Sequence, residues 1–77
     1  MVLPNILIIG SGAREHSVAL KLTESKCTLY CISTFKNPAI LKLCKDYFVI
    51  SNLNNSEIIN TCINNDINMA FIGPENP

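Results

Sequence analysis

Asn5-Ile6-Leu7-Ile8-Ile9-Gly10-Ser11-Gly12-Ala13-Arg14-Glu15-His16 is the stretch that decides the fold. Four large aliphatic residues in a row, three of them β-branched, read as a strand covered on both faces, the pattern of a parallel sheet. Gly10 and Gly12 interrupt it and permit a tight turn. From residue 13 to about 24 the period becomes helical. Val18, Ala19 and Leu22 form one apolar stripe, with Lys21 and Glu24 turned away. A strand running through a glycine turn straight into a helix opens an alternating α/β chain.

The remaining sequence repeats that alternation. Residues 27–32 read as a second strand and 33–37 as a loop. Pro38 suits the first turn of a short helix carrying Ile40, Leu41 and Leu43. Residues 47–50 read as a third strand. Asn55 or Ser56 is the expected N-cap of a third helix, in which Ile58, Ile59, Cys62 and Ile63 recur at helical spacing. The run Asn64-Asn65-Asp66 stops it. Met69–Ile72 reads as a fourth strand, ended by Gly73-Pro74. The order β-α-β-α-β-α-β implies parallel pairing with right-handed crossovers. The expected fold is a Rossmann-like α/β sheet in strand order 3-2-1-4. A covering helix normally follows such a fourth strand, so the chain reads as truncated there.

The chain has 77 residues, 48% of them apolar, enough for one small domain or part of one. No apolar run approaches the ~18 residues of a membrane span, and no basic segment with an apolar core reads as a signal peptide. A cytoplasmic location is the default. Six basic and six acidic side chains cancel. A neutral chain lacks the footprint of a nucleic-acid or anionic-membrane partner. Cys27, Cys31, Cys44 and Cys62 form no CxxC pair. Cys27 and Cys31 are expected on one strand roughly 13 Å apart, too far to share a metal or a disulfide. Four reduced, mostly buried thiols are the expectation.

With strand order 3-2-1-4, ligands are expected beyond the carboxyl ends of the strands, where the winding reverses. Three loops meet there: residues 10–14, 33–38 and 73–76. The first leads into a helix N-terminus, a natural place for phosphate, and Arg14 adds a cation. The dinucleotide pattern G-x-G-x-x-G fails, because Glu15 holds the third glycine position. The acidic residue that would grip a ribose is also missing after the second strand, where Tyr30-Cys31-Ile32-Ser33 stands. Glu15 either accepts hydrogen bonds from loop amides or complements the helix dipole. His16 has no acidic partner or second ligand nearby in sequence and reads as structural, beside Leu20. The second loop offers Lys36 and Asn37, and the last offers Glu75, stiffened by Pro74 and Pro77.

Ile8-Ile9-Gly10-Ser11-Gly12-Ala13-Arg14-Glu15-His16-Ser17 resembles the opening signature of the glycinamide ribonucleotide synthetases, a strand followed by G-x-G-[GA]-R-E-H-A. Ile72-Gly73-Pro74-Glu75-Asn76-Pro77 resembles that family's V-G-P-E-x-P segment. The spacing between the two also fits, and R-E-H directly after G-x-G is far more specific than G-x-G alone. The resemblance covers this whole chain but only the start of a family chain of several hundred residues. It implies most of an amino-terminal, pre-ATP-grasp substrate domain.

The family joins phosphoribosylamine to glycine with ATP through a glycyl phosphate, giving glycinamide ribonucleotide, ADP and phosphate in purine synthesis. ATP and Mg²⁺ bind in the ATP-grasp part, so these 77 residues are expected to hold neither and to be inactive alone. By position, Gly10, Gly12, Ala13, Arg14 and Glu15 belong to the implied phosphoribosylamine site. Gly73, Pro74 and Glu75 line it from the fourth strand. The family's P-G-N-[AP]-G segment reads Phe35-Lys36-Asn37-Pro38-Ala39 here. Asn37 is kept, and Lys36 and Ala39 replace the two glycines. Other readings are the amino-terminal domain of a different ATP-grasp enzyme, a Rossmann-type nucleotide-binding module, and an interaction domain without chemistry. Self-association is expected through the uncovered fourth strand.

Overall fold

A computed structural model describes residues 3–10, 12–50 and 54–72. Its elements are β1 (Asn5–Ile9), α1 (Ala13–Leu22), β2 (Thr28–Ser33), α2 (Pro38–Leu41), β3 (Asp46–Val49), α3 (Asn55–Asn64) and β4 (Met69–Ile72). The four strands are all parallel, as the alternation of elements implies, and lie in the expected order β3-β2-β1-β4. Right-handed crossovers then decide the layers. The chain moves from β1 to β2 to β3 in one direction, which puts α1 and α2 on one face. It then returns past β2 and β1 to reach β4, which puts α3 on the other.

Alternation along β1 divides the core accordingly. Ile6 and Ile8 join Leu29 and Ala19 on the α1 side, with Leu22, Leu43, Cys44 and Phe71 against them. Leu7 and Ile9 join Tyr30 and Ile32 on the α3 side, with Phe48, Ile58, Cys62 and Ile67 against them. Leu7 and Ile8 have no exposed surface, which is why the aliphatic run is unbroken. The outer elements are less covered. α3 buries none of its residues fully. Met69 and Ile72 of β4 stay 63% and 67% exposed, as do Ile59 and Ile63 on the outer side of α3 at 55% and 68%.

Several boundaries differ from the sequence expectation by one or two positions. β2 includes Ser33 and leaves out Cys27, because the buried Ser33 hydroxyl finds partners and so can end a strand inside the fold. Cys27 instead donates its thiol to the Leu22 carbonyl at the end of α1. β3 runs from Asp46 to Val49 and omits Ile50. α1 stops at Leu22, where Thr23 takes the C-cap position and its hydroxyl donates to Leu20 O. The N-cap of α3 is Asn54, one residue before the expected pair, and its side chain accepts from Glu57 N at 2.9 Å.

The amino edge of the sheet is closed by Asn5. Its amide donates to Asn68 Oδ1, and its side chain donates to the carbonyls of Asn65 and Asp66. These bonds join the start of β1 to the turn before β4. Asp66 there has φ +53°, the left-handed conformation that commonly ends a helix and that Asp tolerates. No described helix is long and apolar enough to cross a membrane.

Candidate functional site

The carboxyl edge of the sheet carries the chemistry-bearing loops. β1 ends in Gly10, whose φ is +116°. Both of its backbone polar groups are engaged: its N–H donates to Ile32 O at 2.9 Å, and its carbonyl accepts from the Cys31 thiol at 3.2 Å. The strand β2 therefore grips the turn from beneath. Gly12 is the N-cap of α1, in extended backbone.

Glu15 is the internal brace of this loop. Its residue is 6% exposed, and its Oε1 accepts from Gly12 N at 2.7 Å. This is one arm of a capping box, with glycine at the N-cap offering no side chain to return the bond. A Cβ on Gly10 would stand 3.1 Å from Glu15 Cδ, and one on Gly12 would stand 3.0 Å from Oε1. At Gly10 the positive φ and this crowding together favour glycine, and at Gly12 a side chain would press on the carboxylate oxygen. Of the two roles open to Glu15 on sequence grounds, the amide bond is the one formed. A carboxylate at this end also suits the helix dipole.

The first intrahelical bond runs from His16 N to Gly12 O. The amides of Ala13, Arg14 and Glu15 precede it and have no helical acceptor. Gly12 N is occupied by Glu15, so the amides left for an outside anion begin at Ala13. Ala13 and Arg14 are exposed. The Glu15 charge offsets part of the helix N-terminal potential, which leaves Arg14 as the loop's cation. His16 is half-buried, while Leu20 is 48% exposed, so the expected apolar packing of the pair is loose.

The second loop runs between β2 and α2. Asn37 is the N-cap of α2, and its Oδ1 accepts from Ala39 N at 2.9 Å. Pro38 occupies the first turn, as its fixed φ suits. Lys36 is exposed. The loop is held by the Tyr47 hydroxyl, which reaches Ser33 Oγ at 2.8 Å, donates to Phe35 O at 2.7 Å and accepts from Asn37 N at 3.1 Å. Ser33 Oγ also donates to Phe35 O. Sequence reasoning missed Tyr47 and Ser33. Tyr47 follows Ser33 by 14 positions, and no local pattern links them.

Cys31 lies beneath both loops. Burial pushes its thiol up to about 11; a hydrogen bond with Tyr47 acts the other way, and the Glu15 charge adds to the rise. Cys44 is pushed up to about 12, first by burial and then by Cys31. All four cysteines are free; Cys31 is buried and the other three are half-buried. These two raised thiols are suited to donating hydrogen bonds, and poorly suited to nucleophilic attack.

The expected site residues Gly73, Pro74 and Glu75 lie outside the described residues. The structure brings together the other two loops: Gly10, Gly12, Ala13, Arg14 and Glu15 after β1, and Asn37 after the adjacent β2. Among the described residues, no group of three or more His, Cys, Asp or Glu stands together to hold a metal.

Comparison with known proteins places this architecture. The chain is 36% identical over 72 residues to the phosphoribosylamine–glycine ligase of Pyrococcus horikoshii, which covers 94% of this chain and 16% of that protein. It is 42% identical over 72 residues to the ligase of the same name from Methanosphaera stadtmanae, with the same coverage of each chain. For the Methanosarcina acetivorans ligase the identity is 40% over 74 residues, covering 94% of this chain and 17% of the relative. The chain thus spans about one sixth of the length of these relatives. Residues 4–77 match the family model described as phosphoribosylglycinamide synthetase, N domain, and the chain belongs to that family.

Proposed function

We propose that this chain is the part of a phosphoribosylamine–glycine ligase that receives phosphoribosylamine at the carboxyl edge of its sheet. The observation that carries the reading is the glycine loop after β1. It is braced from within by Glu15, and it leads into the N-terminus of α1, where Arg14 is exposed and the helix end suits an anion. The family match over residues 4–77 supports it.

In this reading the phosphate of phosphoribosylamine meets the amides of Ala13 and Arg14 and the Arg14 guanidinium. Gly12 allows close approach of the backbone. Asn37 approaches from the neighbouring loop, and Gly73, Pro74 and Glu75 complete the edge. The complete ligase joins the amine to glycine at the expense of ATP, in purine synthesis. ATP and Mg²⁺ belong to its other parts, and no step through either is assigned to these residues.

Ribose 5-phosphate carries the same phosphate and ribose and serves as a stable probe. Calorimetric titration is expected to give saturable binding to this chain. Arg14→Ala is expected to weaken it about ten-fold or more, the effect of losing a charged hydrogen bond of roughly 1.5–3 kcal/mol. The thermal unfolding midpoint should stay within a few degrees of wild type, since Arg14 is exposed. Unchanged affinity in Arg14→Ala would count against the proposal.

A further inference from the structure

The loop between β2 and α2 contains no glycine, and among described non-glycine residues only Asp66, far from it in sequence, has positive φ. Its shape is therefore set by hydrogen bonds. One oxygen, the Tyr47 hydroxyl, accounts for most of them. It engages Ser33 at the end of β2, Phe35 O in the middle of the loop and Asn37 N at its end. A phenol has one proton and two lone pairs. With the proton on Phe35 O, the oxygen accepts from Asn37 N–H. The single Ser33 proton serves either Phe35 O or the Tyr47 oxygen. Tyr47 itself is fixed in β3, in register with Cys31 of β2, which in turn donates to Gly10 O. Cys31 and Tyr47 thus stand side by side on adjacent strands, one bonded to the glycine loop and the other to the loop of Asn37.

We propose that Tyr47 is a positioning residue of the phosphoribosylamine site: its hydroxyl holds Asn37 and its loop in the conformation that meets the ligand on the same sheet edge as the glycine loop. This rests on the site proposed above. Tyr47 makes no contact with ligand in this scheme and acts only through the loop. A purely structural tyrosine would, on losing its hydroxyl, weaken the fold and both loops together. A positioning tyrosine uncouples one loop and spares the other.

Tyr47→Phe removes the one oxygen and keeps the ring. With ¹⁵N-labelled chain and ribose 5-phosphate as the probe, wild type is expected to show ligand-dependent amide shifts at Ala13 and Arg14 and at Asn37 and Ala39. In Tyr47→Phe the shifts at Asn37 and Ala39 are expected to fall to less than half, with the dissociation constant raised roughly five-fold, the scale of one lost hydrogen bond. The Ala13 and Arg14 shifts at saturation are expected to persist. Full-size shifts at Asn37 in the variant overturn the inference and leave the site reading standing. Equal loss at both loops overturns it as well. No response at either loop in wild type overturns the site reading and this inference with it. If Tyr47→Phe does not fold, Ser33→Ala removes one partner of the same hydroxyl and is read the same way.

Discussion

Gly10→Ala is expected to lower the unfolding free energy by about 2–6 kcal/mol, measured by urea denaturation. A left-handed φ in a non-glycine residue costs about 1–3 kcal/mol, and crowding in a packed interior costs a further 1–3 kcal/mol. Both apply here, since φ is +116° and the new Cβ would lie 3.1 Å from Glu15 Cδ. Local relief is blocked. Turning the peptide would break the bond to Ile32 O on one side and the bond from Cys31 on the other. The two contributions separate in a double-mutant cycle. Glu15→Ala removes the crowding atoms and leaves the φ strain, so the double variant should be less destabilised than the sum of the singles by roughly 1 kcal/mol. Gly10→Ala within 0.5 kcal/mol of wild type, on the same rough scale, would mean that the loop is not built this way.

The second large effect is alkaline. Below about pH 9 the Cys31 and Cys44 thiols keep their protons in folded and unfolded chains alike, and they add no pH dependence. Above that pH the unfolded chain releases protons that the folded chain holds until about 11 at Cys31 and about 12 at Cys44. The unfolded state then binds fewer protons, so stability falls as pH rises. The slope is up to about 1.4 kcal/mol per pH unit for each thiol. A domain of this size has roughly 4–12 kcal/mol in all. Stability is therefore expected to fall by up to about 5 kcal/mol between pH 9 and 11 at 25 °C, a large share of that total. The informative quantity is a difference between two chains. The double variant Cys31→Ala/Cys44→Ala should have a visibly shallower fall than wild type. Identical slopes would contradict the burial that sets both thiols.

The sequence was most legible where one residue type has one physical use. The aliphatic run of β1 and the bounds of β4 were readable because buried parallel strands tolerate little else. Parallel pairing followed from alternation and handedness, whereas the order 3-2-1-4 was an assumption among the doubly wound orders these allow. The boundaries of β2 and β3 were harder, since Ser33 is polar and can belong to a buried strand only if its hydroxyl finds partners. Tyr47 and Phe35 O satisfy it, and both are set by tertiary contact. The run Asn54-Asn55-Ser56 offers several good N-caps, and packing of Ile58 and Cys62 against the sheet selects Asn54.

In the site, Glu15 was legible because it stands three residues after a glycine N-cap, the spacing of a capping box. The inward turn of its carboxylate needed the fold. The Tyr47 junction was invisible because it joins a strand residue to a loop across two elements. Met69 and Ile72 of the fourth strand, through which self-association was expected, are exposed.

The central claim is that the loops after β1 and β2 form one phosphoribose site. Its most direct test is a crystal structure of this chain with ribose 5-phosphate. The account predicts the phosphate within about 3 Å of the Ala13 and Arg14 amides, with the ribose toward Asn37. A ligand bound elsewhere, with the carboxyl edge of β1 and β2 left to solvent, would contradict it.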